Sequence, residues 1–187
     1  GALEDLSTKA LKAQFETNVF GWHELTKQVI PVMRRQGHGR IIQCSSVLGF
    51  VSMAYRGAYN ASKYAIEGLT DTLRLELKPA NIEVVLLQPG PINTQFRANA
   101  LAAFQENIDI DASVHKVQYQ QQIERLTSEK SNAAFTLEPL QVTRALIHAL
   151  ESERPKLRYR ITTPTKVFAI LKRLLPARWL DYLLAKG

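Results

Sequence analysis

Cysteine is nearly absent. The 187 residues include one, Cys44, so no disulfide can form within the chain and a reducing compartment is expected. Cys44 lies in an apolar stretch and reads as a small core residue rather than a reactive thiol. Glycine and proline are sparse, at 9 and 8, and with 22% charged residues this excludes a disordered or low-complexity chain. No apolar run approaches the roughly 18 residues of a membrane-spanning helix. The opening residues carry no basic region followed by an apolar core, so no secretory signal is read there and a cytoplasmic protein is the expectation. His23, His38, His115 and His148 share no metal-ligand spacing, and no metal site is expected. What the chain does have is 45% hydrophobic residues, enough for one buried core in a single domain spanning 1–187.

The net charge of +7 is a property of one end. Residues 154–187 hold nine Lys or Arg against one acid, Asp181, whereas residues 1–153 sum to −1. No basic–aromatic motif accompanies this charge, so nucleic acid is not an expected partner. Residues 164–187 read as two short amphipathic helices parted by Pro176. Val167, Ile170, Leu171 and Leu174 form one apolar face, and Trp179, Leu180, Leu183 and Leu184 the next. Such helices can lie on an anionic membrane surface as a peripheral contact. They can equally cover a substrate pocket or a partner subunit, and that reading is preferred.

Hydrophobic periodicity places the other elements. Ser7 can cap a helix running from Thr8 to about Gln36, with Leu11, Phe15, Val19, Trp22, Leu25, Val29 and Val32 on its apolar face and Gly37 ending it. A strand over 40–45, a helix over 57–78 and a strand over 82–88 make a β-α-β unit, which requires a parallel pair with a right-handed crossover. Residues 95–135 are polar and read as irregular. A helix over 139–150 and a short strand near 157–161 follow. Within the central helix Ala58, Ala61, Ala65 and Gly68 lie beside Leu69, Leu73 and Leu77, a pattern suited to close packing on the sheet or on a partner helix.

The chemistry concentrates around Tyr59-Asn60-Ala61-Ser62-Lys63. Tyr59 and Lys63 are about one helical turn apart and share a face. A phenol near an ammonium is a sensible general acid/base, because the positive charge favours the phenolate. Ser46 stands thirteen residues earlier, where the strand gives way to hydroxyls and a glycine, the end at which open α/β sheets bind ligands. Asn18 stands a further twenty-eight residues upstream, and Pro89-Gly90-Pro91-Ile92-Asn93-Thr94 follows the second strand.

Asn18, Ser46, Tyr59-x-x-x-Lys63 and Pro89-Gly90-x-Ile92-x-Thr94, in this order and spacing, closely resemble the single-domain branch of the short-chain dehydrogenase/reductase family, with a C-terminal region similar to its retinol and hydroxysteroid dehydrogenase-like members. The resemblance implies the C-terminal part of a doubly wound, Rossmann-like parallel α/β sheet, with three strands in this chain and helices on both faces. It implies an NAD(P)-dependent oxidoreductase interconverting an alcohol and an aldehyde or ketone. Tyr59 would move the proton, Ser46 would hydrogen-bond the reacting oxygen, and Lys63 would tune Tyr59 and hold the nicotinamide ribose. Asn18 would hold a relay water. Pro89, Gly90, Ile92 and Thr94 would meet the nicotinamide, Ile92 through its backbone and Thr94 through its hydroxyl.

NADP or NAD is the implied cofactor, with NADP slightly favoured, and the implied substrate is apolar. Residues 95–135 would form the substrate loop, and a homo-oligomer is implied through the Tyr59 helix and the one before it. The glycine-rich phosphate loop of the family and its cofactor-selecting residue are not found before Asn18, so the chain reads as the catalytic part of a longer enzyme. A different class, an inactive fragment that serves only as an assembly or membrane-surface module, is the alternative. The first strand is then expected to show an unpaired apolar edge.

Overall fold

A computed structural model describes residues 1–127 and 135–185. Strands β1 (Gly39–Cys44), β2 (Ile82–Gln88) and β3 (Arg158–Arg160) form one parallel sheet in that order. β1 runs against β2 from Gly39 opposite Ile82 to Cys44 opposite Leu87, and β3 pairs with the last three residues of β2.

Alternation along the strands decides which helix lies on which face. Ile41, Ile82 and Val84 point to one side, where they pack with Leu77 and Leu73 of α3 (Gly57–Leu77) and with Ile30 and Met33 of α2 (Gly21–Gln36). Ile42, Val85 and Leu87 point to the other side and meet Val142, Ala145, Leu146 and Ala149 of α6 (Pro139–Glu151), together with Tyr159. β2 is therefore buried on both faces, and its nearly continuous apolar sequence follows from that. Polar ties fix the layers. Arg40 of β1 donates to the carbonyls of Ala149 and Leu150 at 2.8 and 2.6 Å, closing the C-terminal end of α6 where a cation is favoured. Arg158 of β3 reaches both Asp71 oxygens of α3 at 2.5 Å and lies 3.5 Å from Glu67, while Gln88 of β2 donates to Glu67 at 2.8 Å.

The long helix expected over 8–36 is interrupted. α1 (Thr8–Phe15) is capped by the Ser7 hydroxyl, which accepts from the Ala10 amide at 3.1 Å. A π-helical turn, Glu16–Phe20, then bonds the Gly21 amide to the Glu16 carbonyl before α2 resumes, and Gly37 ends α2 in the left-handed conformation at φ 75°. A π turn inserts an extra residue and rotates the following face. That is why Leu25 and Val32, expected inward, are 64% and 46% exposed, while Trp22, Thr26, Ile30 and Met33 turn toward the protein. The small residues of α3 do not all serve close packing: a Cβ on Gly68 would meet open space, and Leu69 beside it is 48% exposed.

The segment 95–135 corrects a second expectation. It is not irregular but carries α4 (Phe96–Asn107) and α5 (Lys116–Thr127), with 128–134 outside the described residues. The glutamines of α5 are good helix formers, and Tyr119 alone supplies its buried contact, packing with Ala2, Ile108 and Phe104. Helices α7 (Thr163–Leu174) and α8 (Ala177–Leu184) part at Pro176 as expected.

Among the described residues β1 pairs only with β2, so its other edge is open beside apolar side chains. The chain by itself is expected to associate with rising concentration. Light scattering coupled to size exclusion checks this, and a monodisperse monomer at high concentration would count against it.

Candidate active site

Four elements deliver the site at the carboxyl end of the sheet. β1 ends at Cys44, and Ser45 and Ser46 follow. The Ser45 amide donates to the Leu87 carbonyl and the Val47 amide to the Pro89 carbonyl, both at 2.8 Å, so the serine turn is clamped to the end of β2. The Ser46 hydroxyl accepts from the Leu48 amide at 3.2 Å, capping the short 3₁₀ turn Val47–Gly49. Three of the predicted residues, Ser46, Tyr59 and Lys63, come together there. The Ser46 side chain lies close enough to the Tyr59 phenol to pull its pKa down. The Lys63 ammonium lies 5.6 Å from the centre of the Tyr59 ring and 5.7 Å from that of Trp22, and donates to the Cys44 carbonyl at 2.8 Å.

The electrostatics differ from the expected pairing. Burial pushes the Tyr59 phenol above its ordinary value, Ser46 pulls it down and Cys44 pushes it up further; the net direction is upward. Burial likewise pushes Lys63 down, against a smaller upward pull from Cys44. Both charged forms lose solvation, and at this geometry the ammonium is engaged by a carbonyl rather than by the phenol oxygen. The Cys44 thiol is pushed up by burial, more than Lys63 pulls it down, which suits an inert core cysteine.

Asn18 reaches the site indirectly. It sits in the π-helical turn and donates from Nδ2 to the Ser62 hydroxyl at 3.1 Å, and Ser62 in turn donates to the Tyr59 carbonyl at 2.8 Å. Ser62 is fully buried and ties the Asn18 segment to the Tyr59 turn. The pattern Tyr59-x-x-x-Lys63 leaves Ser62 unassigned, and its hydroxyl one residue before Lys63 is the sequence signal for it. Asn60, also buried, anchors the same turn by donating to the Met53 carbonyl at 2.9 Å.

The Pro89–Thr94 segment crosses in front of β2. A Cβ on Gly90 would stand 2.1 Å from the Thr162 hydroxyl and 2.7 Å from that of Thr165, so only glycine lets the segment lie against the start of α7. The two threonines are buried and hydrogen-bond each other at 2.9 Å. Ile92 bridges to Leu137, but the bonds of that bridge use the Asn93 amide and the Pro91 carbonyl. The amide and carbonyl of Ile92 itself lie outside it, a donor and an acceptor complementary to a carboxamide. Thr94 accepts from the Phe96 amide at 3.3 Å, two residues ahead of α4. With the Lys63 ammonium and two hydroxyls at the same sheet end, these residues fit a nicotinamide nucleoside.

Comparison with known proteins agrees with this geometry. The short chain dehydrogenase family model matches residues 1–104. The uncharacterized oxidoreductase YbbO of Escherichia coli is 41% identical over 98% of this chain, which spans 62% of that protein. Human retinol dehydrogenase 8 is 34% identical over 84% of this chain and 51% of its own. A solved short-chain dehydrogenase from Streptomyces avermitilis superposes with a TM-score of 0.64 at 26% identity, over 92% of this chain and 63% of that one. One from Burkholderia phymatum, solved with NAD, reaches 0.70 at 23% identity over 93% and 60% and supports the fold. From the clamped Ser46, the Tyr59–Lys63 turn and these likenesses together, the chain belongs to the short-chain dehydrogenase family.

Proposed function

We propose that this chain is the catalytic part of an NAD(P)-dependent oxidoreductase that interconverts an alcohol and an aldehyde or ketone. The observation that carries this reading is the Ser46–Tyr59 hydroxyl pair with Lys63 behind it at the carboxyl end of a parallel sheet. The nicotinamide, when bound, supplies or accepts the hydride at the carbonyl carbon. Tyr59 gives its proton to the carbonyl oxygen in reduction and takes it back in oxidation, so charge and protons balance in both directions. Ser46 holds the same oxygen as a second donor, which stabilises the charge that develops there. Lys63 holds the ribose and, once turned from the Cys44 carbonyl, lowers the phenol toward the working range. Asn18 holds a water behind Lys63, positioned through Ser62. Ile92 receives the carboxamide on its backbone, Thr94 adds its hydroxyl, and Pro89 and Gly90 set the path of the segment.

NADP is favoured slightly over NAD. Helices α4 and α5 cover the substrate side, where the Phe96 ring meets that of Tyr59 at a tilt with centres 5.3 Å apart, and the retinol dehydrogenase likeness supports an apolar substrate. The protein is read as cytoplasmic and homo-oligomeric, with α3 and the helix before it as the contact between copies. A second reading, membrane-surface binding through α7 and α8, is favoured by Ile170, Leu174 and Trp179 at 56%, 73% and 67% exposure beside Lys166, Arg173 and Arg178.

In the full-length protein Tyr59→Phe is expected to cut turnover by about 10²–10⁴-fold with cofactor binding retained, as measured by steady-state rates and nucleotide fluorescence. Survival of the rates would sink the assignment. Lys63 binds its proton less tightly in the folded chain than in the unfolded one. Between its lowered value and the ordinary 10.5 the unfolded chain holds more protons, so stability rises with pH in that window. Denaturation of the cofactor-free protein should therefore show it gaining stability relative to Lys63→Met as the pH climbs toward 10.5, and a flat difference would contradict the buried ammonium. Sedimentation with anionic vesicles, before and after removal of residues 164–187, checks the second reading: tail-independent binding, or none, rejects it.

A further inference from the structure

Helix α7 touches each of the segments that carry the proposed chemistry. Its cap and first turn supply Thr162 and Thr165, both fully buried, which leave room only for glycine at position 90 of the Pro89–Thr94 segment. One turn on, Phe168 packs against Val47, Leu48 and Val51, the same buried cluster that Tyr59 packs against, and Leu184 of α8 joins it there. A further turn on, the Lys172 ammonium donates to the Phe50 carbonyl at 2.5 Å. It also lies 5.0 Å from the ring centre of Tyr64, which follows Lys63 in α3. Thr165, Phe168 and Lys172 are spaced by three and four residues and so form one stripe of the helix.

Burial of apolar surface alone would have chosen another face. The apolar stripe of α7 is Val167, Ile170 and Leu174, and all three are exposed. The inner stripe offers a hydroxyl, a ring and an ammonium instead, each matched to one of the segments around the site. A helix turned in this way forgoes hydrophobic burial for specific contacts.

Two of those contacts converge on the turn after Ser46. The Ser46 hydroxyl accepts from the Leu48 amide at 3.2 Å, so its direction follows the Val47–Gly49 turn. On the strand side the amides of Ser45 and Val47 fix that turn to the Leu87 and Pro89 carbonyls. On the other side it is held by Phe168, packed on Val47 and Leu48, and by Lys172 on the Phe50 carbonyl. Because Tyr64 gives Lys172 its second contact, the turn is also held relative to α3, the helix of Tyr59. Misplacing a positioned group by on the order of 1 Å can cost about 10²-fold in rate, and Ser46 is such a group in the reading above.

We propose that α7 is a strut that positions the Ser46 hydroxyl against Tyr59, with Phe168 and Lys172 as positioning residues acting through the Val47–Phe50 turn. The catalytic consequence rests on the oxidoreductase reading; the bracing of the turn does not. Two measurements on the full-length protein test it, using Lys172→Met, Lys172→Arg and Phe168→Ala. Lys172 is exposed, so its variants keep the test open even where Phe168→Ala does not fold. In the first, hydrogen–deuterium exchange is followed at the amides of residues 47–51. Lys172→Met and Phe168→Ala are expected to speed it by at least about twofold, with the β2 amides unchanged. Lys172→Arg keeps a donor and a cation for the Tyr64 ring and is expected to stay near wild type. Unchanged exchange in Lys172→Met and Phe168→Ala overturns the strut.

In the second measurement, reduction of decanal is followed with NADPH and with NADH. Lys172→Met is expected to lower kcat by about tenfold with the cofactor KM unchanged, and Lys172→Arg to restore most of it. In a Ser46→Ala background the same substitution is expected to cost about twofold or less, because both changes act on one group. A loss of equal size with and without Ser46, or an unchanged kcat beside faster exchange, overturns the positioning role. No turnover of decanal by wild type, with the exchange effects present, supports the strut and counts against the oxidoreductase reading instead.

Discussion

Burial of β2 on both faces is the constraint on which the rest of the structure depends. Among the described residues β2 alone is paired on both edges, by β1 and β3, and its side chains alternate between the α2–α3 layer and α6. A strand buried in this way has no polar face to spare, so polar groups gather at its end. Gln88 does so on Glu67, and the Leu87 and Pro89 carbonyls do so on the amides of Ser45 and Val47. Those last two bonds turn a packing requirement into a functional one, because they set Ser46 beside the Pro89–Gly90 turn.

The site is built by desolvation as much as by proximity. Tyr59 and Lys63 each sit where their charged forms are disfavoured, and the ammonium is held by a main-chain carbonyl rather than by the phenol. This favours the protonated phenol and holds the ammonium on a main-chain oxygen. The π turn around Asn18 belongs to the same design. One extra residue turns Trp22 toward Lys63 and sets the Asn18 amide on Ser62, linking two helices through a hydroxyl that is wholly buried. Such turns interrupt helices at functional positions because they re-aim side chains without breaking the helix.

What was legible in the sequence were features governed by local chemistry and short spacing. The four-residue step from Tyr59 to Lys63, the alternation of β1 and β2, the Gly37 stop and the break at Pro176 each follow from backbone geometry that a few residues determine. The polarity of α5 misled because exposure and irregularity look alike in composition, and one buried tyrosine was enough to dock that helix. Tertiary structure alone decided the direction of the Tyr59 and Lys63 shifts and the Asn18–Ser62 link. Each depends on distances and solvation between segments far apart in the chain, 44 residues for Asn18 and Ser62, and no local pattern encodes those.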